Sequence, residues 1–183
     1  NRVWKDLNNS GTIDAADGAS PGVNGVVVRL LTAAGGAVTD VNGNPVGIQT
    51  TANGGYYRFD NLLAGDYIVE IVTSNFTAPG MLVGCVSSAG GNDPDTDVDD
   101  SDDNGVGIQP DPANGIRSLA VTLGPAVGSE PTGDNDPATN PQAGEAIDNQ
   151  SNRTVDFGFV PVYSLGNRVW KDLNNSGTID AAD

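Results

Sequence analysis

Residues 1–17 and residues 167–183 are the same string, NRVWKDLNNSGTIDAAD, set 166 residues apart (1 to 167). Every position matches, so the chain reads as one unit of about 166 residues followed by the opening of the next. That period is far longer than the roughly 20–50 residues of a solenoid repeat. Each unit must therefore bury a core of its own, as a bead does on a string. The expected division is a repeat over 1–166, with 167–183 as the first strand and loop of the following repeat. The join, Phe159-Val-Pro-Val-Tyr-Ser-Leu-Gly-Asn167, carries no Gly/Ser-rich linker. The last strand of one unit would run almost directly into the first strand of the next, which favours a stiff rod. The opening has no leader-type segment and reads as a piece of a longer protein.

The unit reads as all-β. Its 25 Gly and 11 Pro punctuate short apolar runs, and no stretch carries a capped 3.6-residue period. Strands are expected at Val3-Trp4, 26–31, 55–60, 66–72, 81–86, 117–123 and 153–160. In 55–60, Tyr57 and Phe59 share one face. In 66–72, Tyr67, Val69 and Ile71 share one face, with Ile68 and Glu70 opposite. The short 62–66 link suggests a hairpin between these two runs. About seven short strands with turns between them predict an immunoglobulin-like β-sandwich. Two polar stretches, 88–115 and 124–152, read as long loops.

Charge narrows the function. With 24 acidic against 8 basic residues the formal net charge is −16. Nucleic acid and anionic membrane surfaces are excluded as partners. No run approaches the ~18 apolar residues of a membrane span. There is no His, which removes the commonest general base and every triad built on imidazole. Aromatic residues make up 5% of the chain, too few for a sugar-binding cleft, and no enzyme activity is expected. Cys85, the one cysteine, lies in an apolar run and reads as a small hydrophobe. The acids are nearly all Asp, a turn and hard-cation residue rather than a helix former.

The repeated segment carries a metal-binding pattern. Asp6 to Asp17 fits the twelve-residue calcium loop: Asp6, Asn8 and Ser10 at positions one, three and five, Gly11 at six, the Thr12 carbonyl at seven, Asp14 at nine and Asp17 at twelve. Ile13 is the inward hydrophobe at eight. Alternate residues of a curled loop deliver the six to eight oxygens that calcium needs. The second copy repeats the set as Asp172, Asn174, Ser176, Thr178, Asp180 and Asp183. Asp at position twelve is one methylene shorter than the usual Glu. No helix pair flanks the loop, so a structural site is expected rather than a sensor. A second cluster, 93–105, holds seven Asp in thirteen residues. Its alternate members Asp95, Asp97, Asp99, Ser101 and Asp103 could converge on a further ion that relieves their repulsion. A third collection is Glu130, Asp134, Asp136, Asp148 and Asn152. The expected cofactor is Ca2+, one loop site per repeat with one or two more.

Four stretches, Gly166-Asn-Arg-Val-Trp-Lys-Asp-Leu-Asn-Asn-Ser-Gly, Gly22-Val-Asn-Gly-Val-Val-Val-Arg-Leu, Gly55-Tyr-Tyr-Arg-Phe-Asp-Asn-Leu-Leu-Ala-Gly-Asp-Tyr and Thr154-Val-Asp-Phe-Gly-Phe, together resemble the SdrD B-like domain of bacterial surface proteins. That family is related to the prealbumin-like, collagen-adhesin B-type fold. The resemblance covers the whole unit, with longer loops at 38–48 and 88–152. It implies an extracellular, cell-surface β-sandwich that binds calcium, partly through the loop at Asp6–Asp17, and serves as a tandem stalk module. The implied partners are neighbouring repeats of the same protein, with any host or matrix ligand left open. Some relatives carry a Lys–Asn or Lys–Asp isopeptide bond; Lys5, Asp156 and Glu70 make a nominal trio, but no bond is expected. The leading function is a calcium-rigidified repeat of a fibre, stalk or sheath. An adhesin using the 88–152 loops and a filament subunit completed by a donated strand stay open.

Overall fold

The computed structural model describes residues 1–97, 101–125 and 150–182. Nine strands follow in order among the described residues: β1 (Val3–Lys5), β2 (Val27–Thr32), β3 (Gln49–Thr50), β4 (Gly65–Ile71), β5 (Cys85–Ser87), β6 (Gly105–Asp111), β7 (Gly115–Ser118), β8 (Val121–Leu123) and β9 (Phe157–Pro161). Short 3-10 turns stand at Ala15–Asp17 and Thr73–Phe76. The expected all-β sandwich is what forms.

One sheet has the order β1-β9-β5; the other runs β3-β2-β4-β7-β6, with β8 also on β4. β2 and β4 pair antiparallel from Val28↔Ile71 to Thr32↔Tyr67. β7 and β8 continue one another along the far edge of β4, broken at Leu119-Ala120. β1 lies parallel to β9, with Val3↔Phe157, Trp4↔Gly158 and Lys5↔Phe159.

Period-two alternation decides which side chains enter the sandwich. Val28 and Leu30 of β2, Tyr67, Val69 and Ile71 of β4, Val3 of β1, and Phe157 and Phe159 of β9 meet in one core. Phe76 packs edge-on against Phe159, with ring centroids 5.5 Å apart. Trp4 alternates with Val3 and so leaves on the opposite face of the small sheet, over Gly158. A Cβ at Gly158 would meet the indole at 2.8 Å. Trp4 is nevertheless fully buried, and the Ser88 side chain approaches the same Gly158 position, at 3.0 Å from where a Cβ would stand.

Several expectations are corrected. Residues 55–60 alternate but form no strand; the hairpin with 66–72 is absent. Asn53, Gly54 and Gly55 all take positive φ, and the backbone there bonds to Val3, Ala52 and Asn1 instead. Tyr57 still enters the core, anchored by its hydroxyl donating to the Val155 carbonyl at 2.6 Å. The stretch 88–115 contains β6, an edge strand with exposed Val106 and Ile108. Residues 81–84 are turn, and β5 starts only at Cys85. Cys85 is half-buried against the core, and burial pushes its thiol pKa up.

Glu70 points away from the core as expected, yet it is fully buried. Arg29 on β2 and Arg117 on β7 close over it from either side, Arg117 Nε donating at 2.8 Å and Arg29 Nη2 donating to the other oxygen. The buried carboxylate is thus paired on both sides, as a desolvated charge must be.

Candidate metal centre

The Asp6–Asp17 loop is built around its own carboxylates. Asp6, at the end of β1, is fully buried. Its Oδ1 accepts from the N–H groups of Asn8 and Ser10, both at 3.2 Å, and its Oδ2 accepts from Gly11 N–H at 2.9 Å. Asn9 and Gly11 take φ of 57° and 77° to turn the chain, conformations that Asn and Gly tolerate best. Asp14 caps the 3-10 turn through Ala16 N–H at 2.7 Å. Asp17 closes the circle, accepting from Leu7 N–H at 2.8 Å and Asp14 N–H at 3.0 Å. Ser10 donates to the Thr12 carbonyl at 2.9 Å. The Asn8 amide beside Asp14 holds that carboxyl below the ordinary carboxylate range, so it is ionised at neutral pH.

The second copy of the loop repeats this geometry in a different setting. Asn175 and Gly177 take φ of 57° and 74°. Gly177 N–H donates to Asp172 Oδ2 at 2.8 Å, and Ser176 Oγ to the Thr178 carbonyl at 2.9 Å. Backbone donation from Gly177 lowers the pKa of Asp172, and the Asn174 amide lowers that of Asp180. Asp183 lies outside the described residues.

The two acidic stretches meet. Ile13 N–H donates to the Ser101 carbonyl at 2.6 Å and Asp103 N–H to the Gly11 carbonyl at 2.9 Å, so Thr12 and Asp102 form a β-bridge. Asn9 Oδ1 accepts from Ala89 N–H at 2.9 Å, and the Ser88 hydroxyl donates to Asp6 Oδ2. Below this seam sits Asp103, fully buried. Its Oδ1 accepts from Gly105 N–H at 3.0 Å and Gly158 N–H at 3.1 Å. Its Oδ2 has no hydrogen-bond partner among the described residues. Burial pushes its pKa up to about 7; the two N–H donors oppose that shift, and the charges of Asp102 and Asp6 add to it.

The rest of the 93–105 cluster is distributed among other partners. Asp95 accepts from Thr122 N–H at 2.6 Å and Thr122 Oγ1 at 2.8 Å, fixing the start of β8. Asp97 accepts from the Asn104 amide at 3.0 Å. Among the described residues no group of three or more Cys, Asp or Glu side chains is gathered as a metal cluster. Asp99, Glu130, Asp134, Asp136 and Asp148 lie outside the described residues; Asn152 bonds the Pro94 carbonyl at 2.8 Å. Lys5 is exposed, Asp156 pairs with the Asn1 amine at 2.6 Å and Glu70 is held by arginines in the other sheet. The nominal isopeptide trio is not assembled.

Sequence reasoning passed over Ser88 and Asn104. Asn104 accepts from Asp156 N–H at 2.6 Å while donating to Asp97. The Asn104-Gly105 pair, a turn signal just after the acid run, was the available clue.

An all-oxygen donor set of carboxylates, hydroxyls and carbonyls suits a hard cation. The buried, half-partnered Asp103 beside buried Asp6 is a locus where such a charge would be balanced. No helix among the described residues is long and apolar enough to cross a membrane.

The profile of the SdrD B-like domain matches residues 1–104. The chain is 32% identical over 129 residues, 69% of its length, to serine-aspartate repeat-containing protein I of Staphylococcus saprophyticus, covering 5% of that protein. It is 28% identical over 180 residues, 97% of its length, to serine-aspartate repeat-containing protein F of Staphylococcus epidermidis, covering 8% of it. A similar likeness, 28% over 186 residues and the whole of this chain, extends to colossin-B of Dictyostelium discoideum, 4% of which is covered. The chain therefore spans less than a tenth of these curated relatives. The matched profile takes in the calcium-type loop, the β2 run, the 55–67 stretch and the start of the acidic seam, and on that footing the chain belongs to the SdrD B-like domain family.

Proposed function

We propose that this chain is a calcium-stabilised structural repeat of an extracellular surface protein, a spacer in a stalk, fibre or sheath. The observation that carries the reading is the seam between the two acidic loops, where buried Asp6 and Asp103 lie beneath a twelve-residue loop of calcium-type spacing. Asp6, Asn8, Ser10, Thr12, Asp14 and Asp17 would hold one ion; Asp103, with neighbouring oxygens of the 93–105 cluster, would help hold another. Calcium supplies positive charge to carboxylates that otherwise repel, and the chain's own loops position those carboxylates. A ligand bound by the folded state alone stabilises by RT ln(1 + [L]/Kd), about 2.7 kcal/mol per site at roughly 100 times Kd. The recurrence of residues 1–17 at 167–183 supports a tandem spacer with neighbouring repeats as its partners. A tip adhesin need occur only once.

The test is thermal unfolding in EDTA, in millimolar calcium and in millimolar magnesium. Each filled site is expected to raise the melting temperature by about 5–10 °C, with magnesium much less effective. Superimposed calcium and EDTA curves would refute the proposal.

A further inference from the structure

We propose that the Asn42-Gly43 turn is a site of spontaneous backbone modification, where the Asn42 side chain closes on the Gly43 nitrogen and loses its amide, while the fold shields the other Asn-Gly pairs of the chain. There are five such pairs, at 24–25, 42–43, 53–54, 104–105 and 114–115. Glycine has no Cβ to obstruct the approach of its own nitrogen to the preceding side chain. Each pair therefore carries the same intrinsic chemistry, and the structure decides which one reacts.

The reaction is intramolecular. The Gly43 nitrogen attacks Cγ of Asn42 and gives up its proton. The N–Cγ bond forms as the Cγ–Nδ2 bond breaks, and the amide nitrogen leaves as ammonia with that proton. Water then opens the five-membered imide at either carbonyl, leaving an aspartyl or an isoaspartyl residue at position 42. Water is the one co-reactant. The step needs a side-chain amide that can rotate, a glycine nitrogen released from its hydrogen bond, and room for the ring.

Four pairs are denied these conditions. Asn24 Oδ1 accepts from Gly54 N–H and Gly55 N–H, both at 2.9 Å, and Gly25 N–H is held by the Thr51 carbonyl at 2.8 Å. The first of these bonds also occupies Gly54, the nitrogen that Asn53 would need. Asn104 is fully buried between Asp156 N–H and Asp97, and Gly105 N–H is bound to Asp103 Oδ1 at 3.0 Å. A Cβ at Gly105 would stand 2.8 Å from Ser87 Oγ. Asn114 Oδ1 accepts from Arg117 Nη2 at 2.9 Å, and a Cβ at Gly115 would meet the Ile71 carbonyl at 2.0 Å.

Asn42-Gly43 sits instead at the tip of a loop closed by the Thr39–Pro45 bridge, with residues 41–45 all exposed. Nothing lies within 4 Å of where a Gly43 Cβ would stand. Gly43 N–H donates to the Asp40 carbonyl at 2.9 Å, inside the turn and open to replacement by water. Among the described residues the Asn42 side chain meets Asp40 of its own turn and is held by nothing beyond it. The modification acts on that turn. Asp40 Oδ1 accepts from Asn42 N–H at 2.9 Å and Asn44 N–H at 2.8 Å. An isoaspartyl residue lengthens the backbone by one carbon, which opens this network and sets a second carboxylate beside Asp40. Val38 in the core and the bond from Val46 N–H to its carbonyl at 2.9 Å lie behind the tip, so the sandwich persists while the loop changes.

The experiment keeps the full chain warm in mildly alkaline buffer, folded or in urea, and maps each position by peptide mass spectrometry, with isoaspartate read by enzymatic methylation. In the folded chain position 42 should lose its amide about tenfold or more faster than the other four, because a shielded pair must first open locally. In urea the five rates should converge. Asn42→Gln should remove the isoaspartate signal of this turn and leave the slow signals elsewhere as they were. A folded chain in which position 42 reacts no faster than Asn53 or Asn114, or a ranking that persists unchanged in urea, overturns the proposal.

Discussion

Replacing Asp103 by Asn tests the acidic seam in two opposite directions. The change keeps the shape of the side chain and its Oδ1 acceptor for Gly105 and Gly158, and it removes a charge. In the metal-free chain that charge is a burden. Burial, with Asp102 and Asp6 nearby, raises the pKa from 3.8 to about 7. The sign follows from proton counting. Between about pH 4 and 7 the folded chain keeps a proton at Asp103 that the unfolded chain has released. Stability therefore falls as pH rises through that window and is lowest above it. A shift of about three units at 1.36 kcal/mol each sets an upper bound of about 4 kcal/mol, and relaxation of the loops reduces this to about 2–4 kcal/mol. In EDTA at pH 8, Asp103→Asn should accordingly raise the melting temperature by about 5–15 °C, since 1 kcal/mol moves a domain of this size by roughly 2–4 °C. At pH 4 the gain should vanish. In millimolar calcium the order should invert, because the variant has lost a charged ligand and its calcium-induced shift should shrink. Differential scanning calorimetry of both chains at pH 4, 6 and 8, with calcium and with EDTA, reads all of this. A variant that melts below the parent in EDTA at pH 8 would refute the account of Asp103 as an uncompensated buried charge.

Glu70→Ala strands Arg29 and Arg117 over an emptied site between β2, β4 and β7. It should cost about 1–3 kcal/mol in urea unfolding, because the arginines left behind are part-exposed and can turn to water; no measurable loss would mean that solvent already screens the cluster. Trp4→Ala and Trp170→Ala change the same residue in the same local sequence. The first should cost about 3–5 kcal/mol and the second within about 0.5 kcal/mol, both read from denaturant midpoints. Equal losses would show that the second copy is packed in solution.

The duplicated segment separates what local sequence encodes from what tertiary contact supplies. The Asp-x-Asn-x-Ser-Gly loop folds alike at 6–11 and 172–177, because its side chains bond its own backbone and Asn and Gly accept the positive φ values. The loop's conformation was therefore legible from spacing alone. The strand ahead of it was not, because Val-Trp-Lys is a strand only where β9 and the 21–23 backbone pair with it. The same physics explains the other departures. Residues 55–60 alternate convincingly, but the left-handed backbone of Asn53, Gly54 and Gly55 at their start makes a turn rather than a strand, while Tyr57 in the core and Phe59 packed edge-on beside it keep the face expected of them. β6, rich in Gly and exposed on both faces, alternates only through Val106 and Ile108, too short a pattern to mark a strand. Glu70 was assigned to the correct face; its burial came from two arginine stems on strands distant in sequence. The seam between the acidic loops joins residues about ninety positions apart, and no local pattern specifies such a contact.

β1 and β9 run side by side in the same direction, one at the start of the unit and the other at its end. Tension applied at Asn1 and Pro161 would pull these two strands lengthwise past each other. Shear of this kind loads the hydrogen bonds along the pair together, whereas peeling an antiparallel hairpin from its open end breaks them one at a time. The flanking bonds to Pro21, Val23 and Gly55 share that load. Rupture under force reports the unfolding rate rather than equilibrium stability. In the proposed stalk, this parallel pair would carry the load where stretching force enters the domain, next to the acidic loop that follows β1.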